Sequence, residues 1–231
     1  MLLVGFDIDG TLLRVRPQPV RTALRAALQE TLGTEVPQEA LTDLAGKTDL
    51  QILREVARRL ACGVPMWKLA REFIRCYEEH YFRLVQPEDV QLLPGVERTL
   101  ECLARQGLPL GILTGNLEAI AHWKLRSARI GHFFGLGAYG SEHWQRARLV
   151  RLLQERARRR GIDRIVLVGD SLRDVASARR CGVCCIAVAT GVHSGEELRA
   201  AGAYRVLPTL EAVEPLLEAL HELTTQAHHC H

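Results

Sequence analysis

Short apolar runs, each closed by a polar residue, decide most of what this chain can become. Leu2–Phe6 ends in Asp7, the run at 109–113 in Thr114 and Gly115, and the run at 164–168 in Gly169 and Asp170. Cys184–Val188 leads to Thr190 and Gly191, and a brief run lies at 136–139. Runs of this length suit strands buried on both faces. Between them the apolar spacing turns helical, at 117–129, 144–160, 173–181 and 209–222. Strand and helix in alternation predict an α/β fold, a Rossmann-like parallel sheet flanked by helices.

One stretch breaks the rhythm. From about 17 to 90 no strand pattern appears, and helical periods run around 20–31, 49–61 and 66–84 instead. Pro17 and Pro19 mark the entry, and Pro87 with Pro94-Gly95 the exit, as stiff crossings between two bodies. The expected division is a core of residues 1–16 and 92–231 with an all-helical insert at 17–91.

Composition narrows the function classes. Thirty basic against 27 acidic residues leave a net charge of +3, too small to argue for a nucleic-acid binder. The arginine-rich stretch 146–164 reads as a solvated helix face, with few aromatics to serve as stacking platforms. The longest apolar run, 183–192, falls far short of the ~20 residues of a membrane span. The N-terminus has no basic region ahead of its strand, so a cytoplasmic protein with no membrane or nucleic-acid partner is expected. The seven cysteines are odd in number and lack a secreted spacing, which suits free thiols in a reducing compartment. Cys184 and Cys185 fall in an apolar strand, and the tail His228, His229, Cys230 and His231 reads as a frayed end.

Chemistry concentrates just past the strand ends, the edge where an open parallel sheet binds ligands. In Phe6-Asp7-Ile8-Asp9-Gly10-Thr11-Leu12 the two carboxylates at i and i+2 fall on one side of an extended segment. Gly10 permits a tight turn and close backbone approach. Hard oxygen donors with no His or Cys nearby favour Mg²⁺. One ionised carboxylate can then attack phosphorus, while its neighbour donates to the leaving oxygen. Thr114 and Gly115 add a hydroxyl and free N–H groups ahead of a helix N-terminus. Asp170 and Asp174 lie one helical turn apart, either as metal ligand and partner or as a helix cap. A cation for the phosphoryl oxygens is still needed. Lys124 belongs to the helix after Thr114, which leaves Arg146 and then Arg148 as candidates.

Taken together, these residues resemble the haloacid-dehalogenase-like (HAD) phosphatase superfamily across nearly the whole chain. Its first motif matches Asp7 to Leu12, its second Thr114, and its fourth Gly169 to Asp174. The insert resembles the C1-type cap of that superfamily. Leu93-Pro94-Gly95-Val96 and Ala189-Thr190-Gly191 resemble its phosphoglycolate-phosphatase-like branch. The third motif departs, with Arg146 where many relatives have Lys.

The resemblance implies Asp7 as nucleophile and Asp9 as acid and base, with Mg²⁺ on Asp7, Asp170 and the Asp9 carbonyl. It places Asp174 behind the metal, and Gly10, Thr114, Gly115 and Arg146 on the phosphate. Leu44-Ala45-Gly46-Lys47-Thr48-Asp49 resembles the cap loop that reads the leaving group, with Lys47 as its specificity residue. The expected substrate is a small phosphorylated metabolite, phosphoglycolate or a sugar phosphate, and the enzyme a monomer or homodimer. A phosphomutase and a catalytically silent metabolite-binding protein are the alternatives.

Overall fold

The computed structural model describes residues 1–225, so the His/Cys tail at 228–231 lies outside it. The chain leaves a fully buried strand β1 (Leu2–Phe6) through a short strand β2 (Leu13–Val15). It then forms α1 (Pro17–Leu32), α2 (Asp49–Arg59) and α3 (Met66–Leu84) and returns through β3 (Val90–Leu92), antiparallel to β2. Helix and strand alternate from there: α4 (Val96–Arg105), β4 (Leu110–Leu113), α5 (Glu118–Ser127), β5 (Phe134–Ala138), α6 (Arg146–Arg158) and β6 (Arg164–Gly169). The series ends with α7 (Leu172–Arg180), β7 (Cys184–Val188), α8 (Gly195–Ala200), β8 (Arg205–Leu207) and α9 (Glu214–Thr225).

Six strands form one parallel sheet in the order β5-β4-β1-β6-β7-β8. Successive side chains of a strand point to opposite faces. Accordingly Val4 and Phe6 join one apolar cluster with Leu100 and Leu220, and Leu3 joins the other with Leu149 and Leu153. Both faces are covered, which is why the strands read as near-continuous apolar runs. Register sets the chemistry: Phe6 lies level with Ile112 of β4 and Val168 of β6, and the Asp7 N–H donates to the Val168 carbonyl at 2.9 Å. The residues following these three strands therefore leave the sheet at one edge.

The insert has its own apolar cluster, including Leu24, Leu28, Leu53, Val56, Phe73 and Tyr81, and Leu117 and Ile120 of the α5 region belong to it. The insert is thus seated on the segment that follows β4. Prolines open α1, and its C-terminus closes on Gly33 at φ 65°. Thr48 caps α2 by accepting from the Gln51 N–H at 3.0 Å. Three strands, β2, β3 and β8, and the helix α8 go beyond the sequence expectation. Strands of three residues are too short to show an apolar alternation, and α8 has only six residues. Cys184 and Cys185 are buried in β7 as expected, and Cys62, Cys76, Cys102, Cys181 and Cys185 are free thiols. No described helix is long and apolar enough to cross a membrane.

Candidate active site

Asp7 and Asp170, from the ends of β1 and β6, and Asp174, in the first turn of α7, come together at the sheet edge. Each offers a carboxylate oxygen, and the three oxygens lie within 4.8 Å of one another. All three residues are buried, with Asp174 only 1% exposed. Asp174 is fixed twice over. Its Oδ2 accepts from Ser171 N–H at 3.0 Å and Ser171 Oγ–H at 2.5 Å in a capping box, and its Oδ1 lies 2.5 Å from an Arg146 nitrogen.

That same Arg146 nitrogen, Nη2, is 2.8 Å from Asp7 Oδ1. Arg146 opens α6, is buried, and also donates to the carbonyls of Gly46 and Leu113, both at 3.4 Å. Its guanidinium thus ties nucleophile candidate, insert loop and sheet together, whereas Arg148 is exposed and away from this cluster.

Three buried carboxylates face one buried cation, and the imbalance shows in their acidities. Burial, against the opposing charge of Arg146, pushes Asp7 up to about 7. Burial and then the Asp7 and Asp174 charges push Asp170 up to about 8, although Thr11 Oγ donates to it at 3.1 Å. A divalent cation would offset this excess, and an all-carboxylate donor set is the kind that Mg²⁺ takes. The residues present therefore fit the ion that the sequence called for.

Asp9 faces elsewhere. Both its oxygens lie 2.7 Å from Lys124 Nζ, and Asn116 Nδ2 donates to Oδ2 at 2.8 Å. Lys124 also donates to Asn116 Oδ1, closing a ring of three side chains. So the Asp9 carboxylate is separated from the Asp7, Asp170 and Asp174 group, and Lys124, passed over in the sequence, is a member of the site. Gly10 holds φ +82° between Asp9 and Thr11, and a side chain on it would strike the Asp170 carboxylate.

Thr114 is fully buried. Its Oγ accepts from the Asn116 N–H at 3.2 Å, which places it under the turn that carries Gly115 and Asn116.

A cavity of about 430 Å³ opens above these groups, between sheet edge and insert. Asp7, Asp9, Gly10, Gly115, Lys124, Arg146 and Asp170 line its floor. Val15, Val20, Leu24, Asp49, Ile52 and Tyr77 also line it, as do Arg14 and Arg21. The insert loop closes tightly over the core: Asp49 N–H donates to Gly115 O at 2.8 Å, Thr48 Oγ to Trp144 O at 2.8 Å, and Gly46, at φ +67°, abuts Ser171. Lys47 lines the cavity, but its ammonium is held inside the insert, 2.7 Å from Glu55 and 3.6 Å from Asp43.

Asp49 is the other residue missed. Its Oδ2 accepts from Leu117 N–H at 2.8 Å, yet burial outweighs that bond and Lys124 and pushes its carboxyl up to about 7.

Comparison with known proteins agrees with this architecture. The model of the haloacid dehalogenase-like hydrolases matches residues 4–188. A phosphoglycolate phosphatase of Nitrosospira multiformis is 27% identical over 217 residues, covering 93% of this chain and 95% of its own. Another, of Yersinia pseudotuberculosis, is 28% identical over 197 residues, covering 84% of each. Among solved structures, a β-phosphoglucomutase of Clostridium difficile superposes with a TM-score of 0.72 at 15% identity, covering 97% of this chain and 99% of its own. This last likeness is one of fold.

Proposed function

The chain belongs to the haloacid dehalogenase-like hydrolase family, and from that premise we propose that it is a phosphatase hydrolysing a small phosphomonoester through an aspartyl phosphate on Asp7. The observation that carries this reading is the meeting of Asp7, Arg146, Asp170 and Asp174 in one buried cluster at the floor of a cavity. The relatives named phosphoglycolate phosphatase support phosphoglycolate as the substrate, with a sugar phosphate as the other small phosphomonoester to be tested.

In this mechanism an Asp7 carboxylate oxygen attacks phosphorus in line with the departing alkoxide. Arg146, locked by Asp7 and Asp174, sets the rotamer of the nucleophile and keeps a positive charge beside it. Mg²⁺, held by Asp7, Asp170 and the Asp9 carbonyl with Asp174 behind, would keep these carboxylates ionised and neutralise phosphoryl charge. Thr114 accepts the Asn116 N–H and so braces the turn whose Gly115 N–H precedes α5, where an anion is favoured. Asp9 lines the cavity floor; its protonated form gives the proton to the leaving oxygen, and the resulting carboxylate, the form that Lys124 holds, takes one back from the attacking water. The helical insert covers the site as a cap and keeps bulk water from the intermediate.

The test is phosphate release from a panel of small phosphomonoesters, with and without Mg²⁺, for the wild type and Asp7→Asn. Metal-dependent turnover that the variant lacks is the expected result. Folded wild-type protein that releases no phosphate from any ester would move the assignment to a mutase or a silent binding protein.

A further inference from the structure

Beyond the phosphatase site, the structure carries a second concentration of charge. A cleft of about 300 Å³ lies between the start of α2 and the outer faces of α6 and α7, on the far side of the 43–49 loop from the active-site cavity. Five arginines line it, Arg146, Arg148, Arg151, Arg173 and Arg180, and no carboxylate does. Arg146 is committed to Asp7 and Asp174. Arg148, Arg151 and Arg180 form no ion pair among the described residues, so no carboxylate there neutralises the charge they bring to the cleft.

We propose that this cleft is a binding site for a small polyphosphate, distinct from the catalytic cavity. The spacing selects the ligand. Arg148 and Arg151 are three apart on α6 and share a face. Arg173 and Arg180 are seven apart on α7, two turns and about 10 Å along one face. A single phosphate reaches one end of that row, whereas a chain of two or three phosphates spans it. Guanidinium groups suit such a chain because each presents paired donors to phosphate oxygens. The concave shape favours a compact anion over a long polymer, which a raised basic stripe would serve better. Gln51, Gln145 and Ser177 add neutral hydrogen-bonding side chains to the lining.

The cleft also touches the insert. Arg173 donates to Asp43 at 3.2 and 2.6 Å and to the Ala45 carbonyl at 2.6 Å. An anion that engages Arg173 competes with Asp43 for it, so binding here loosens the insert loop whose Gly46 carbonyl accepts from Arg146.

The experiment is calorimetric titration of the full chain with inorganic tripolyphosphate in metal-free buffer. It needs no turnover, so it stands or falls independently of the phosphatase reading. Arg151→Ala/Arg180→Ala, both exposed positions, should weaken binding by about tenfold or more. Arg158→Ala/Arg159→Ala removes the same charge at the C-terminal end of α6, outside the cleft, and should leave affinity within about twofold. Asp43→Asn frees Arg173 and should tighten binding by roughly threefold or more. Equal loss in the two double variants, or no loss in either, would overturn the proposal. So would a single-stranded oligonucleotide that binds through the same arginines more tightly than tripolyphosphate.

Discussion

Asp49 offers a sharp test of the physical reasoning, because its carboxyl is buried between insert and core without a direct cationic partner. It accepts one hydrogen bond, from Leu117 N–H at 2.8 Å, and burial pushes its pKa from the ordinary 3.8 up to about 7. Below pH 4 the carboxyl is protonated in both folded and unfolded chains. Between about pH 4 and 7 the unfolded chain ionises while the folded protein holds the proton, so the group's contribution to stability falls as pH rises through that window. At about 1.4 kcal/mol for each pH unit, the loss is about 4 kcal/mol by pH 7. Asn in its place keeps an amide oxygen for Leu117 N–H and cannot ionise. Asp49→Asn should therefore match the wild type near pH 4 and become more stable than it by up to about 4 kcal/mol at neutral pH. Urea unfolding of both proteins in metal-free buffer at intervals from pH 4 to 8, followed by tryptophan fluorescence, measures the difference directly. Other titrating groups cancel in that difference because they are common to both chains. A difference that stays flat from pH 4 to 7 would mean that Asp49 is ionised in the fold, and that Leu117 and Lys124 outweigh burial.

Arg146→Ala leaves Asp7 and Asp174 buried without their shared cation, and a loss of about 3–5 kcal/mol is expected from urea unfolding in the absence of metal. Lys124→Met removes the cation held 2.7 Å from both Asp9 oxygens, so Asp9, the proposed acid and base, loses its fixed orientation. Its kcat should fall about 100-fold or more on alkyl phosphates and far less on p-nitrophenyl phosphate, whose leaving group needs no proton. Mg²⁺ at about a hundred times its Kd should stabilise the wild type by about 2.7 kcal/mol, and Asp170→Asn should abolish the corresponding rise in Tm.

The frame of this protein was legible because its signals are local. A buried parallel strand has to be apolar where it is covered, so the acids that close β1 and β6 stand out against Leu2–Phe6 and the apolar stretch 165–168. Alternation then places both ends at one sheet edge without any knowledge of side-chain contacts. The insert is readable for the same reason, since α1, α2 and α3 carry apolar stripes with a helical period. The two-stranded pair β2 and β3 escapes because its register joins residues 13–15 to 90–92 and depends on where the insert returns.

The residues missed in the site, Lys124 and Asp49, share a signal that the sequence does contain. Lys124 falls on the stripe of α5 that begins at Leu117 and includes Ile120 and Ala121, and it is only 4% exposed. Asp49 begins the stripe that continues through Ile52, Leu53 and Val56 of α2. A charge on the buried stripe of a helix carries a desolvation cost that something must offset, so each position announces a partner. Periodicity reports that the side chain is buried but not which element faces it. Here the two stripes belong to the core and the insert, and both side chains meet at one cavity, where Lys124 lies near enough to Asp49 to lower its pKa and Asp9 lies near enough to raise it. The protonation of Asp49 is therefore set by the seating of the insert on α5, a long-range arrangement that no single helix encodes.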